Sequence, residues 1–277
     1  MSGLKIAVMI NNLRTDFLDS LKFTADHGCR GVHMSFTQEY NLNSDAATRK
    51  KLLQTVKSYG LEFSAICAWG GGVDLGNPEG LEGHIEEGKR VLQFAVDMEC
   101  NIWQGHCGIM PHSKEDPKWA RFVDSFGKIC QYGEKIGARL AIETGPEPPK
   151  VLLDMIDEVG SPALCVNYDP ANLILWPARY MQLDGVPYDR EKAFAEYQPI
   201  EGVKVLGKHI IHSHAKDAKV FPEGRREVPL GEGWIDWPKY ISYFREIGFD
   251  GYFAIEREVG DDPKGDIARA ISFLQSL

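Results

Sequence analysis

The stretch Ile136-Gly-Ala-Arg-Leu-Ala-Ile-Glu143 contains the unit from which the fold can be predicted. A helix-like segment ends at Ile136, Gly137 supplies the left-handed residue that often terminates a helix, and a short apolar run follows. That run stops at a carboxylate, Glu143. The same order of helix end, glycine and apolar run recurs at Gly28, Gly60 and Gly248. Repetition of this unit indicates parallel strands joined by helices that cross back over the sheet.

Eight apolar runs alternate with eight amphipathic segments along the chain. The expected strands are residues 5–10, 31–35, 62–68, 101–105, 139–143, 163–168, 208–214 and 251–256. The expected helices are about residues 15–27, 45–59, 80–98, 114–136, 150–159, 190–206, 237–247 and 262–275. The first strand runs into Asn11 without the Gly-x-Gly-x-x-Gly loop of an open nucleotide-binding sheet, which favours closure. The sequence therefore predicts the α/β class, as a single (β/α)₈ TIM barrel, with residues 1–277 as one domain.

The composition limits the classes of partner. The chain has 277 residues, 43% of them hydrophobic, and its formal net charge of -9 disfavours nucleic acid and anionic membranes as partners. The first apolar run is too short for a secretory leader, and no run approaches the about 20 residues of a membrane span. Six cysteines without a Cys-x-x-Cys pair are typical of reduced structural thiols. A cytoplasmic protein is expected.

Four polar residues stand at the ends of the last four expected strands: Glu143, Asp169, His214 and Glu256. They are 26, 45 and 42 residues apart, each about one strand-helix unit, so a closed barrel would bring them together at its top face. Residues two apart in a strand share a face. The inward layer beneath the four is therefore expected to consist of Ala141, Asn167, His212 and Ala254.

Three carboxylates and one imidazole at one place would repel without a cation, so a single divalent metal ion is the economical explanation. The donor set suits Mn²⁺ or Mg²⁺ best, with Co²⁺ or Zn²⁺ as alternatives. Such an ion polarises a carbonyl and stabilises an enediolate, and Glu143 and Glu256 are placed to remove and return a proton. The alternative interpretation is a set of separate surface acids and one core histidine.

Further side chains are candidates for contact with a small-molecule substrate. Lys216 lies two residues after His214 and is either the cation that balances the site or an ordinary loop lysine. Trp69 and Trp176 lie in loops of the top face, where each either stacks on a sugar ring or packs its loop. No cluster of Arg and Lys marks a phosphate pocket, which favours an unphosphorylated substrate.

Five short motifs resemble those of the xylose isomerase-like TIM barrel superfamily, in its sugar phosphate isomerase/epimerase branch, which includes tagatose epimerase-like and inosose dehydratase-like proteins. They are Leu140-Ala-Ile-Glu-Thr-Gly145, Asn167-Tyr-Asp-Pro-Ala-Asn172, His212-Ser-His-Ala-Lys-Asp217, Pro229-Leu-Gly-Glu-Gly233 and Ala254-Ile-Glu256. The resemblance implies one metal ion, usually Mn²⁺, at the four residues named above, with the two glutamates as an acid/base pair. It also implies that His106 hydrogen-bonds a substrate hydroxyl.

Two departures from the family pattern narrow the function. Ketose 3-epimerases carry a substrate-contacting His three residues after the metal Asp, where this chain has Asn172. Endonuclease IV-like barrels carry an Asp-x-His pair before the Gly-Glu-Gly turn, where this chain has Arg225-Arg-Glu227. The expected function is a metal-dependent sugar epimerase or isomerase, with an inosose dehydratase-type lyase as the alternative. A nuclease and a non-catalytic barrel that binds metal and sugar are less favoured. The oligomeric state is left open; Trp234, Trp237 and Tyr240, taken as exposed, are candidates for the contact of a possible homo-oligomer.

Overall fold

A computed structural model describes residues 3–277, which contain ten strands and ten α-helices. The strands are β1 (Ile6–Met9), β2 (Gly31–Ser35), β3 (Glu62–Cys67), β4 (Ile102–Gly105), β5 (Arg139–Glu143), β6 (Leu164–Tyr168), β7 (Ile210–Ala215), β8 (Asp217–Phe221), β9 (Gly224–Val228) and β10 (Phe253–Ile255). The helices are α1 (Phe17–Asp26), α2 (Ala46–Ser58), α3 (Leu81–Asp97), α4 (Pro117–Ile136), α5 (Pro149–Val159), α6 (Asn172–Leu183), α7 (Arg190–Tyr197), α8 (Gly202–Leu206), α9 (Trp237–Glu246) and α10 (Pro263–Gln275).

Eight of the strands form one closed parallel barrel, in the order β1-β10-β7-β6-β5-β4-β3-β2. Closure is visible at Ala7 of β1, which pairs with Gly31 on one side and with Ala254 on the other. Helices lie between successive strands, so the predicted (β/α)₈ barrel is confirmed. The extent of the domain stays a prediction, and Met1 and Ser2 of its range lie outside the described residues.

The local rules that predicted the strands hold in the structure. All eight expected strands are present at nearly the expected positions. The glycines that were expected to end helices, Gly28, Gly60, Gly137 and Gly248, have φ values of 74°, 74°, 74° and 71°. A residue with a side chain is strained at such φ values, which explains the choice of glycine there.

Three features differ from the expected elements. The strands β8 and β9 form an antiparallel hairpin inserted after β7, in a polar segment for which no element was expected. The helix α6 was also not expected, because Pro177 lies inside it and no side chain caps its start. The expected helix 190–206 is two helices, α7 and α8. Pro199 lies in the break and Gly202 begins α8, and both residue types destabilise the interior of a helix.

The expectation that Trp237 and Tyr240 are exposed is wrong. They lie on the inner face of α9, with 1% and 0% of their surface exposed. Each polar tip has a partner: Trp237 Nε1 donates to Asp217 Oδ2 at 2.9 Å, and Tyr240 Oη pairs with Ser213 Oγ at 2.9 Å. Side chains with such internal partners cannot form a contact between subunits.

The six cysteines are all free thiols, and five are buried. Burial raises the pKa of Cys29, Cys67 and Cys130 to about 12, so these thiols stay protonated and unreactive at neutral pH. Within residues 3–277, no helix is both long enough and apolar enough to cross a bilayer.

Replacement of Gly105 by alanine tests the close approach of β3 and β4. A Cβ at this position would lie 1.9 Å from the carbonyl oxygen of Ala68, a backbone atom directly after the end of β3. Overpacking costs about 1–3 kcal/mol of unfolding free energy or more, so we expect Gly105→Ala to lower the urea midpoint. Gly83→Ala in α3 is the control, because no atom outside its helix lies within 4 Å of the added carbon. Equal midpoints for the two variants would contradict this packing.

Candidate metal centre

Side chains at the carboxyl ends of β5, β6, β7 and β10 meet at one point. Glu143, Asp169, His214 and Glu256 each offer an atom, and these atoms lie within 4.8 Å of one another. His214 Nδ1 is 3.1 Å from Glu143 Oε1, 3.2 Å from Glu256 Oε2 and 3.6 Å from Asp169 Oδ2. None of the four is more than 9% exposed. We call these four residues the carboxylate cluster.

Strand alternation places the cluster in the interior. Asn167 and His212, two residues before Asp169 and His214, point inward and bond to each other through Asn167 Oδ1 and His212 Nδ1 at 2.8 Å. Their neighbour Tyr168 instead packs outward against Tyr240 of α9, with ring centroids 6.0 Å apart. Small or polar side chains thus lie beneath the cluster, and bulky ones face the helices.

The charges of the cluster depend on His214. Burial opposes its protonation, but Glu256 and Glu143 outweigh that effect and hold its pKa well above the usual range. Burial alone would raise the pKa of Glu143, but the charges of His106 and His214 lower that pKa to about 2. For Asp169 burial dominates, and the pKa is raised. The imidazolium of His214 is therefore one of the cations that hold the carboxylates together.

Lys216 is a second cation of the cluster. It is only 4% exposed, and its Nζ lies 2.8 Å from Glu256 Oε2 and 4.0 Å from Asp169 Oδ2. It also forms an ion pair with Glu258. Lys216 is therefore a buried, paired lysine, and its role toward a substrate stays a prediction.

The other candidate residues lie at different distances from the cluster. His106 Nε2 is 3.2 Å from Glu143 Oε2, and Asn172 Nδ2 donates to Glu143 Oε1 at 3.0 Å. Trp176 lines a cavity together with Asn172. Trp69 is 8% exposed, donates to Glu87 Oε1 at 2.8 Å and packs edge-on against another indole, so it holds its loop. Contact of any of these side chains with a substrate stays a prediction.

Two buried residues that the sequence analysis did not single out contact the ligands. Gln104 Nε2 donates to Glu143 Oε2, which as a carboxylate can only accept. The other polar atom of that side chain, Gln104 Oε1, is buried and has no hydrogen-bond partner among the described residues, and the same holds for Nε2 of the His33 ring. The other nitrogen of that ring, His33 Nδ1, lies 3.3 Å from His214 Nε2.

The contact between the two rings determines where their protons lie. Burial and the charge of His214 lower the pKa of His33 to about 3, so its ring is neutral, and its Nδ1 accepts the proton of His214 Nε2. The remaining nitrogen, His214 Nδ1, is the one that faces the three carboxylates. The only indication in the sequence was that His33 and Gln104 are polar residues at inward positions of otherwise apolar strands.

The cluster fits a divalent cation. Asp169 Oδ2 is fully buried and makes no hydrogen bond among the described residues, so one acceptor is left for an ion. Three carboxylates and one imidazole nitrogen are a donor set that Mn²⁺ and Mg²⁺ accept. A second group, His33, His212 and His214, is also close together, but His212 already bonds Asn167 and Ser64 through its two nitrogens.

Comparison with known proteins gives a family match and distant relatives. The family described as xylose isomerase-like TIM barrel matches residues 21–277. An uncharacterised protein of Methanocaldococcus jannaschii is 22% identical over 184 residues, which are 60% of this chain and 54% of that protein. An L-ribulose-5-phosphate 3-epimerase (UlaE) of Escherichia coli O157:H7 is 24% identical over 196 residues, 69% of this chain and 63% of that protein. The matches thus span less than two thirds of either relative.

Solved structures share the fold over nearly the whole chain. A xylose isomerase domain protein from Planctomyces limnophilus superposes with a TM-score of 0.78 at 23% identity, over 99% of this chain and 96% of that one. The probable 3-DHS dehydratase AsbF of Bacillus anthracis superposes with a TM-score of 0.74 at 19% identity, over 98% of each chain. At these identities the likeness concerns the fold alone.

Removal of the His33 ring tests the hydrogen bond between the two imidazoles. In His33→Leu, His214 Nε2 loses its acceptor, so we expect faster exchange of that proton, seen in ¹⁵N NMR spectra of the imidazoles. Mn²⁺ affinity, measured by calorimetry, should fall about 10–100-fold, the usual effect of losing such a partner. Ser64→Ala is the control, because Ser64 is equally buried but bonds only His212 and backbone. A His33→Leu protein with unchanged spectra and affinity would contradict the assignment.

Glu147, in the loop after β5, predicts a pH dependence of stability. It is 2% exposed, its Oε2 has no hydrogen-bond partner within residues 3–277, and burial raises its pKa to about 8. Between the unfolded pKa near 4.5 and the folded pKa, only the folded state keeps the proton, so stability falls as pH rises. Glu147→Gln should remove this loss and stabilise the protein by about 1–3 kcal/mol at pH 8 but little at pH 5. Urea titrations at pH 5 and pH 8 measure the free energy of unfolding, and exposed Glu115→Gln is the control. An equal gain in stability at both pH values would count against a buried neutral carboxyl.

Proposed function

We propose, from the premise that this chain belongs to the xylose isomerase-like TIM barrel family, that it is a metal-dependent sugar epimerase or isomerase. In this proposal it moves a proton at the carbon next to the carbonyl of a keto-sugar. The substrate is a small molecule, and the site is the carboxylate cluster at the top of the barrel.

The position of the two glutamates is the observation that carries the proposal. Glu143 and Glu256 lie 3.1 and 3.2 Å from the same nitrogen of His214, and they come from β5 and β10, with β6 and β7 between them. A substrate carbon above the cluster therefore has a carboxylate on each side. One glutamate removes the proton and the other returns it, which inverts a stereocentre or moves a carbonyl.

Charge balance supports a divalent ion at Glu143, Asp169, His214 and Glu256. With His214 protonated and Lys216 charged, three carboxylates leave the site at -1; a divalent ion in place of the His214 proton brings the sum to zero. When bound, the ion polarises the substrate carbonyl and stabilises the negative charge that develops on its oxygen. We propose Mn²⁺, with Mg²⁺, Co²⁺ and Zn²⁺ as substitutes.

The remaining polar side chains are proposed to position the sugar. His106 and Asn172 both contact Glu143 and lie where hydroxyl groups of a bound sugar would reach them. Lys216 faces the cluster from the Glu256 side and offsets the charge of an enediolate. The UlaE relative, an epimerase of L-ribulose 5-phosphate by its name, supports a keto-sugar as the class of substrate.

A dehydratase acting on a cyclitol or keto-sugar is the second candidate. Dehydration begins with the same proton abstraction, after which a hydroxyl group leaves as water. Asn172 favours this candidate, because a neutral amide stands where the ketose 3-epimerases carry a histidine. A likeness in fold to the probable 3-DHS dehydratase AsbF is compatible with it.

Incorporation of deuterium tests the proposed reaction. The purified protein with Mn²⁺ in D₂O should place deuterium at the carbon beside the carbonyl of at least one keto-sugar, observed by ¹H NMR. Glu256→Gln should lower the exchange rate about 10²–10⁴-fold, because a general acid or base contributes that much. Exposed Glu115→Gln is the matched control and should exchange like the parent protein.

The same spectra separate the alternatives. A new stereoisomer supports the epimerase, whereas loss of water from the substrate supports the dehydratase. Absence of exchange across a broad panel of keto-sugars and cyclitols, with metal bound and sugars still binding, would contradict the enzyme and leave a binding barrel.

A further inference from the structure

The cavity lined by Asn172 and Trp176 lies beside the carboxylate cluster, between α6 and the hairpin β8–β9. Its volume is about 530 Å³. Two of its lining residues also belong to the surroundings of the cluster: Asn172 donates to Glu143, and Glu258 pairs with Lys216. A ligand held at the cluster could therefore extend into this cavity.

The carboxylates that line the cavity already have cationic partners. Glu227 Oε1 lies 2.6 Å from the guanidinium of Arg257, and Glu223 Oε1 lies 3.0 Å from that of Arg226. Glu258 is bound to Lys216. Each acidic group of this cavity thus has a cationic partner within the chain.

Two arginines of the same cavity have no such balance. Neither Arg179 nor Arg225 has a carboxylate oxygen within 4.0 Å among residues 3–277, and both line the cavity. Neutral groups hold them instead: Arg225 donates to Gln182 Oε1 at 2.8 Å, and the Arg179 guanidinium lies 5.0 Å from the centre of the Trp176 ring. The exposed Arg179 and the partly buried Arg225 therefore line one cavity without an ion-pair partner among residues 3–277.

The two arginines also repel each other. Burial lowers the pKa of Arg225, and the charge of Arg179 lowers it further. In a chain of net charge -9, these two arginines without ion pairs lie beside the proposed active site. A bound anion would remove the repulsion, and the forked guanidinium matches the oxygens of phosphate or carboxylate.

We propose that Arg179 and Arg225 bind an anionic group of the substrate, so that the substrate is an acidic or phosphorylated keto-sugar. The inference rests on the proposed function for the sugar end of the molecule. It reverses the expectation of an unphosphorylated substrate. The sequence could not show the pair, because its members are 46 residues apart and the hairpin that carries Arg225 was not expected.

Paired substrates test the proposal. Deuterium exchange is measured with a keto-sugar, its terminal phosphate ester and the corresponding sugar acid. We expect the parent protein to have at least a tenfold lower KM for an anionic member than for the neutral one. In Arg179→Gln and Arg225→Gln, KM for the anionic substrate should rise 10–100-fold, while KM for the neutral sugar changes less than threefold. Preference for the ester or for the acid identifies which anion is bound.

Arg226→Gln is the matched control. Arg226 lies in the same hairpin and lines the same cavity, but it is paired with Glu223, so its loss should change KM for the anionic substrate less than threefold. Loss of selectivity in this variant equal to that in Arg225→Gln would show a general effect of surface charge and overturn the proposal.

Calorimetry with inorganic phosphate separates this proposal from the proposed reaction. Phosphate binding that is weakened at least tenfold in Arg225→Gln and kept in Arg226→Gln supports the anion site even if no sugar exchanges. Proton exchange that is equal for neutral and anionic sugars, with phosphate binding absent or unchanged in the variants, overturns the anion site and leaves the reaction intact.

Discussion

Three carboxylates crowd into a space a few ångströms across at the mouth of the barrel, and the arrangement around them follows from that crowding. Glu143, Asp169 and Glu256 are at most 9% exposed, so water cannot screen their repulsion. Each negative charge must be balanced by a positive charge inside the protein. His214 and Lys216 provide two positive charges at contact distance, and the remaining negative charge is one that a divalent ion at this site would balance.

The barrel meets this requirement through strand alternation. Parallel strands end at one face, so residues at four strand ends converge although they are far apart in the chain. One layer below, burial keeps the ring of His212 neutral, and hydrogen bonds to Asn167 and Ser64 fix it under the cluster. Gln104 donates to Glu143, and His33 accepts from His214. The cluster is thus oriented by polar side chains that never reach solvent.

What the sequence could predict was set by the range of the contacts involved. Strand ends, helix-ending glycines and the inward positions of Asp169 and His214 follow from local periodicity, and all were predicted. The contact between His33 and His214 could not be predicted, since the two residues are 181 positions apart and meet only across the closed barrel. The error at Tyr240 has the same origin, because periodicity identifies a helix face but not the layer against which that face packs. The helix α6 was missed because Pro177 breaks the local pattern that tertiary contacts override.

The hairpin β8–β9 is an insertion that lines the neighbouring cavity, whereas the barrel strands carry the carboxylate cluster. It starts at Asp217, directly after Lys216, and the carboxylate of Asp217 accepts from the backbone of Gly231 and Gly233 at 3.1 Å each and from Trp237. A Cβ on Gly233 would lie 1.6 Å from that carboxylate, which explains the glycine in the turn. One buried carboxylate therefore anchors both ends of the insertion, and with them the cation at the cluster and the arginine in the neighbouring cavity. Under the proposed function, changes in the hairpin alter what the cavity recognises, while the barrel strands keep the proposed proton-transfer groups in place.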